Sequence, residues 1–228
     1  MAGIDGCKDG WVAVVAEDGD FGTATLCHRA KLFDLLSEIK VDLAVVDIPI
    51  GLSEGPSGRL VEHALRRQLP GRKSSVFNSP CRQATYEADY ESASNTNRAV
   101  VGVGLSQQTW ALVPKIVEAD CVIRQFGQKR IKEGHPEMSF CAFWRRPARA
   151  SKNSVKGTFE RLNALVSLGF DLSMLSEGLA SDAKVATDDL IDAAILCWSA
   201  NRVVTSKHET TPDAPQEDPT GLTMSISA

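Results

Sequence analysis

Acidic side chains interrupt or end the apolar segments of this 228-residue chain at several points. Asp5 lies in the strand-like "AGIDGC", Asp47 ends the apolar run "VDLAVVDIPI", and Glu137 follows a further strand-like segment. Asp189 and Asp192 begin the helical pattern "TDDLIDAAILCWSANRVV". An ionised carboxylate buried without a partner costs on the order of several kcal/mol. The sequence therefore predicts that a cation or hydrogen bonds meet these groups.

Each acid also has an ordinary structural explanation when it is taken alone. Asp5 precedes a glycine and fits a local turn, and Asp47 fits a cap before Pro49. Asp189 follows Thr187 at a helix start, where negative charge is favourable. Asp192 lies one turn further into the helix, at the border of its apolar face, where an acid is usually solvated.

Together the acids favour metal chemistry. Carboxylates that share a site raise one another's pKa unless a cation neutralises them. Oxygen ligands without Cys or His partners select Mg²⁺ or Mn²⁺ over zinc. Two such ions about 3.5 to 4 Å apart activate a water and stabilise the leaving oxygen in phosphoryl transfer. The chemistry implied is metal-assisted hydrolysis of a phosphodiester.

The elements that position these acids form an α/β pattern. Three short strand-like segments separated by Gly and Asp turn signals predict an antiparallel meander over the first 30 residues. The helical pattern "AKLFDLLSEIK" and the run ending at Asp47 follow, which predicts a fourth strand parallel to the first, joined by a right-handed crossover. In such sheets ligands gather at the carboxyl ends of the parallel strands.

The remainder of the chain predicts a helical insertion over residues 53–127, between two strands of the sheet. A fifth strand is expected in "KRIKEGHPEMSF", where His135 either positions a water or, as we prefer, satisfies a backbone group. Helices are expected at "GTFERLNALVSLG" and at the segment carrying Asp192. We predict one domain over residues 1–204, a mobile loop over 205–221 and an edge strand over 222–228, because residues 205–221 are polar without periodicity.

Composition limits the classes of function. The chain is 43% hydrophobic with a net charge of −4, so it is not a nucleic-acid binder driven by overall charge. Residues 59–83 nevertheless carry a local basic excess, in which Arg72 and Lys73 are candidates for binding substrate phosphates. The alternative, a solvated surface, is equally open for both. The Gly-containing "GVG" at 102–104 is typical of a turn rather than of a nucleotide loop.

No segment has the length and apolarity of a membrane span, and Asp5 interrupts the N-terminus before a signal sequence can develop. We therefore expect a cytoplasmic protein with no membrane partner. The six cysteines form no C-x-x-C pair and have no His residues clustered beside them in the sequence. Neither a zinc site nor a disulfide framework is predicted.

Six segments carry a resemblance to a known family. In order they are "GIDGCKDGW", "VVDIPIGL", "GRKSSVF", "GLSQQTWALVPKIVEAD", "GHPEMSF" and "DDLIDA". They resemble a domain-of-unknown-function family (DUF429-like) of predicted nucleases with a ribonuclease H fold, over nearly the whole chain. The helix "DDLIDA" is also similar to the D-x-x-D-A helix of Holliday-junction resolvases, which carries metal-binding acids.

The resemblance implies a ribonuclease H-like mixed sheet flanked by helices, with the insertion after the fourth strand. It implies Asp5 as a first-strand ligand shared by two ions, Asp47 as the fourth-strand acid, and Asp192 with Asp189 as the final-helix acids. Glu137 would complete a catalytic set with Asp5, Asp47 and Asp192. The expected cofactor is Mg²⁺ or Mn²⁺ and the expected partner is DNA or RNA. The first-helix glutamate of ribonuclease H enzymes has no evident counterpart here.

Two other classes of function stay open on the sequence. One is an ATP-dependent phosphotransferase of the actin-like or sugar-kinase type, although "DGC" and "DIP" stand where those proteins have D-x-G phosphate turns. The other is a non-catalytic ribonuclease H-like module that binds protein or nucleic acid. Fold alone does not separate these from a nuclease.

Overall fold

A computed structural model describes residues 1–179 and 184–228. Seven strands lie in these residues: β1 Ala2–Cys7, β2 Gly10–Glu17, β3 Asp20–Arg29, β4 Ala44–Val46, β5 Ile131–Glu133, β6 Thr210–Glu217 and β7 Thr223–Ser227. Eight α-helices accompany them: α1 Leu32–Ile39, α2 Leu60–Gln68, α3 Tyr90–Val101, α4 Gln107–Phe126, α5 Pro136–Trp144, α6 Val155–Ser167, α7 Leu172–Leu179 and α8 Thr187–Val204. The α/β class is confirmed. Among the helices described, none is long and apolar enough to cross a membrane.

The chain divides into two compact units. The first comprises residues 1–48, 129–209 and 227–228, and the second comprises residues 49–128 and 210–226. The expected helical insertion after the fourth strand is present, because α2, α3 and α4 all lie between β4 and β5 in the chain. Every predicted site acid belongs to the first unit, whereas Arg72 and Lys73 belong to the second.

The first unit contains a mixed sheet in the strand order β3-β2-β1-β4-β5. β1, β2 and β3 form the predicted antiparallel meander. β4 pairs in parallel with β1 on one side and with β5 on the other. This is the arrangement expected of a strand, helix, strand crossover after a hairpin, so the mixed sheet of the predicted fold is confirmed and is consistent with a ribonuclease H-like fold.

Helix α8 packs on the sheet through a nearly continuous apolar face. Leu190, Ile191, Ala194 and Ile195 are each at most 2% exposed and join a cluster that includes Val14 of β2. Such a helix, buried along most of its length, is positioned by tertiary packing rather than by its own propensity. Its first turns carry Asp189 and Asp192, so the same packing fixes where these acids lie.

The predicted fifth strand is shorter than the sequence pattern indicated. Only residues 131–133 form β5, and "HPEMSF" is the N-terminal part of α5. His135 is the N-cap residue, and its Nδ1 atom accepts a hydrogen bond from the Met138 backbone N–H at 3.4 Å. Pro136 is at the first helical position, which suits a residue without an N–H group. The preferred interpretation of His135, as a group that satisfies the backbone, is confirmed.

Part of the segment 205–221, expected to be a mobile loop, instead forms strand β6. The segment is polar and contains Pro212 and Pro215, but proline is tolerated in a strand at the edge of a sheet. β6 is outermost in the strand order, beside β7. The expected C-terminal strand is present as β7.

Candidate active site

Strands β1 and β4 place Asp5 and Asp47 next to each other. Ile4 pairs with Val46 in the parallel register, and the Asp47 backbone N–H donates to the Ile4 carbonyl at 3.0 Å. The two aspartates directly follow these residues, so their side chains lie on the same face of the sheet. Asp5 is 9% exposed, and its Oδ1 accepts a hydrogen bond from the Gly6 N–H at 2.7 Å. One backbone donor does not compensate a buried charge.

Helix α8 reaches this face because Gly3 leaves room for it. A Cβ atom at Gly3 would lie 2.0 Å from the Cys197 backbone nitrogen and 2.1 Å from the Ala193 carbonyl oxygen. Side chains alternate along a strand, so Gly3 and Asp5 face the helix together. The missing side chain therefore allows α8 to approach β1 closely enough to bring its own acids to Asp5.

The acids of α8 have different environments. Asp192 is 3% exposed. Asp189 is partly exposed, and its Oδ2 accepts a hydrogen bond from the Ala186 backbone N–H at 2.9 Å, which caps the helix. The expected capping role of Asp189 is confirmed. Capping does not remove this carboxylate from the cluster, because its charge also acts on Asp5.

The carboxylates of the site outnumber the positive charges close to them, and the pKa values of the buried aspartates are raised. Burial raises the pKa of Asp5 well above its usual value, and repulsion from Asp47, Asp192 and Asp189 raises it further. Burial also raises the pKa of Asp47 to about 6. The pKa of Asp192 is raised to about 6, again mainly by burial, with Asp47 and Glu137 adding to the effect. A divalent cation would relieve all three.

One lysine partly supplies the missing charge. Lys152, between α5 and α6, donates from Nζ to Asp192 Oδ2 at 2.8 Å and lies 3.6 Å from Asp188 Oδ2. Burial would lower the pKa of Lys152, but the carboxylates outweigh burial and hold that pKa above its usual value. Its side chain is still 42% exposed. The sequence offered no signal for this residue, which lies outside every helix and strand and 40 positions before its partner.

Glu137 has a cation partner of its own. It lies in the first turn of α5 and forms an ion pair through Oε1 with Arg161 of α6. Arg161 is 1% exposed and also donates to the carbonyl oxygens of Gly157 at 3.0 Å and Ala150 at 3.3 Å. Within the described part of the chain, Glu137 Oε2 accepts no hydrogen bond. The catalytic role expected for Glu137 stays a prediction, and its present partner is structural.

A pocket of about 300 Å³ opens beside the acids. Lys152, Arg161, Asp188 and Asp192 contribute its charged lining. It is therefore bounded by two basic and two acidic side chains, all within the first unit. A substrate that entered it would meet the Lys152 ammonium and the buried Asp192 carboxylate together.

The basic residues of the second unit divide into buried and exposed groups. Arg59 pairs with Glu62, and Arg82 donates to Asp120 at 2.9 Å and to Asp218 at 2.5 Å. Both arginines are less than 10% exposed, so they stabilise the fold rather than offer charge to a ligand. Arg72 is partly exposed and Lys73 is exposed, on a 3₁₀ turn over Lys73–Ser75. Phosphate binding by these two residues stays a prediction.

A family model described as a protein of unknown function, DUF429, matches residues 3–217. The match includes residues of both units and the predicted site acids Asp5, Asp47, Glu137, Asp189 and Asp192. Neither a curated protein nor a solved structure matches the chain.

Proposed function

Because the chain belongs to the DUF429 family of proteins of unknown function, its activity has to be argued from the site, and we propose a metal-dependent nuclease. The enzyme would hydrolyse phosphodiester bonds of DNA or RNA by a two-metal carboxylate site. One observation carries the proposal. Asp5, in the central strand of the first unit's sheet, is buried, and it is repelled by Asp47 directly after β4 and by Asp189 and Asp192 on α8.

The donor set fits Mg²⁺ or Mn²⁺. Asp5, Asp47, Asp189 and Asp192 offer only carboxylate oxygens, which hard divalent cations prefer. Asp5 would be shared, since each of the other three acts on it electrostatically. A bound divalent cation supplies charge neutralisation and a Lewis acid for the attacking water and the leaving oxygen. Without such a cation, burial and mutual repulsion keep the pKa values of these carboxyl groups raised.

The chain's own residues have three tasks in this proposal. The β1 and β4 backbones hold Asp5 and Asp47 side by side, so both carboxylates face the same metal and phosphate site. The hydrogen bond that the Ala186 backbone N–H donates to Asp189 holds this carboxylate in one orientation. Lys152 lines the pocket beside Asp192. Its ammonium group now donates a hydrogen bond to the Asp192 carboxylate, and it could donate to a phosphate oxygen of the substrate instead.

A second candidate, a non-catalytic module, is favoured by the same lysine. Lys152 donates a hydrogen bond to Asp192 at 2.8 Å. Its ammonium group therefore takes the place beside this carboxylate that a metal ion would take in an enzyme. No comparable observation favours the phosphotransferase. Gly102 of the "GVG" segment is the C-cap of α3 with φ +81°, which assigns that glycine to a helix end rather than to a phosphate loop.

The first experiment is calorimetric titration of Mn²⁺, without nucleotide, into the wild type and the Asp5→Asn and Asp47→Asn variants. Asp34→Asn, which changes an exposed acid of α1, is the matched control. We expect saturable binding that is lost in both site variants and kept in the control. Cleavage of branched and single-stranded DNA and RNA with Mn²⁺ then separates the two candidates.

The nuclease proposal fails if the wild type binds no Mn²⁺ at millimolar concentration. It also fails if the metal binds but none of the nucleic acids is cleaved, and the non-catalytic module is then supported. Circular dichroism of each variant establishes that the comparison is made between folded proteins.

A further inference from the structure

A second group of potential metal ligands lies at the turn between β1 and β2. β1 ends at Cys7, which pairs with Gly10 at the start of β2, so Lys8 and Asp9 form the two-residue turn. His28 lies on β3, opposite Val12 of β2. The meander therefore brings together a thiol, a carboxylate and an imidazole that lie up to 21 positions apart in the sequence.

The distances among the three side chains are short. Cys7 Sγ lies 3.8 Å from Asp9 Oδ1, and His28 Nε2 lies 3.2 Å from the same oxygen. One ligand atom from each residue falls within 4.8 Å of the other two. The second oxygen of Asp9 accepts a hydrogen bond from the Lys184 backbone N–H at 3.4 Å, which helps to orient the carboxylate.

These distances are close to those of a zinc site. Bonds of about 2.3 Å to sulfur and about 2.0–2.2 Å to nitrogen or oxygen, at tetrahedral angles, place ligand atoms roughly 3.3–3.6 Å apart. The Asp9 oxygen already has about this separation from each partner. Only small side-chain movements would be needed to bring all three ligand atoms to one ion.

We propose that Cys7, Asp9 and His28 bind a zinc-class transition-metal ion, with one coordination position left for water or another ligand. Thiolate and imidazole are the ligands that distinguish such an ion from Mg²⁺ and Mn²⁺. Cys7 is 4% exposed, whereas the side chains of His28 and Asp9 are 27% and 40% exposed. The ion would thus be anchored on a buried thiolate and reached from solvent on the other side.

This site is independent of the carboxylate cluster in its ligands and is close to it in the fold. Cys7 follows Asp5 by two residues on β1 and faces the same side of the sheet, a separation of about 7 Å along the strand. Binding there would fix the turn that follows Asp5. The site does not require the nuclease proposal to be correct.

The test uses Co²⁺ as a spectroscopic probe with the reduced full-length chain. A Cys7 thiolate bound to Co²⁺ produces a near-ultraviolet charge-transfer absorption, which Zn²⁺ should abolish by displacement and which excess Mg²⁺ should leave unchanged. We expect the absorption in the wild type and in Asp5→Asn. Affinity should fall by more than about tenfold in Cys7→Ser and in His28→Gln.

Cys27→Ser is the matched control, because Cys27 adjoins His28 on β3 and points to the opposite face of the sheet. His28→Gln alters a partly exposed side chain, so it keeps the test valid if Cys7→Ser does not fold. The proposal is overturned if no thiolate absorption appears in the wild type, or if it persists unchanged in folded His28→Gln. If the absorption is kept in Asp5→Asn, binding at Cys7, Asp9 and His28 does not depend on the carboxylate site, and the two proposals can fail separately.

Discussion

Replacing Lys152 by methionine tests how much its ammonium group balances the charge of the acid cluster. Methionine keeps much of the length and the apolar character of the lysine stem and removes the ammonium group. Asp192, 3% exposed, would lose its hydrogen bond of 2.8 Å and its nearest positive charge. We expect the variant to be less stable than the wild type when the acids are ionised and nearly as stable when they are protonated.

The expected loss of stability depends on how deeply Lys152 and Asp192 are buried. Breaking a buried ion pair costs about 3–5 kcal/mol when a buried charge is left unpaired. Lys152 is 42% exposed, so solvent screens part of the attraction and lowers the expected cost to about 1–3 kcal/mol near pH 8. Because the pKa of Asp192 is about 6 in the folded protein, the cost should nearly vanish near pH 4.5.

The direction of the pH dependence can be worked out from the same carboxyl groups. The folded-state pKa values of Asp47 and Asp192 are raised from 3.8 to about 6, so the folded state binds protons more tightly than the unfolded state. These groups make the protein less stable as the pH rises from about 4 through 6. Without Lys152 the pKa of Asp192 rises further, and the decline should continue to higher pH.

Urea unfolding at about pH 4.5 and about pH 8 measures both effects. Lys156→Met is the matched control, since Lys156 is an exposed lysine four positions further on, with no ion pair in the described structure. Equal losses of stability at the two pH values would refute the electrostatic argument. So would a loss near pH 8 no greater than that of Lys156→Met.

Three further perturbations test the rest of the site. Asp5→Asn should raise the free energy of unfolding near pH 8 by about 1–3 kcal/mol, because it removes a buried charge, and thermal melts check this. Arg161→Met should lower it by about 3–5 kcal/mol in urea titrations, since Glu137 would be left charged and buried. Gly3→Ala should lower the melting temperature and weaken Mn²⁺ binding, because its methyl group meets the α8 backbone. Gly55→Ala, with no atom within 4 Å of the added carbon, should change neither.

The sequence predicted those parts of the fold that depend on local periodicity and chain connection. The alternation and turn signals of the first 30 residues predicted the meander of β1, β2 and β3. The helical pattern predicted the full extent of α8, Thr187–Val204. The crossover rule places β4 beside β1, which makes Asp5 and Asp47 neighbours, as the structure confirms. Strand β6 was not predicted because its segment is polar and lacks the alternation of a strand, and its prolines are compatible with a strand only in special positions such as an edge.

Only the tertiary structure decided which charges meet. Glu137 and Arg161 are 24 residues apart, and Lys152 and Asp192 are 40 apart, so no spacing rule connects them. Cys7 and His28 likewise come together only because two antiparallel hairpins fold back side by side. A sequence shows local periodicity and therefore where an acid enters a core element. The partner that neutralises the acid is chosen by packing between distant segments, and that choice sets the pKa of the carboxyl group and the chemistry available to it.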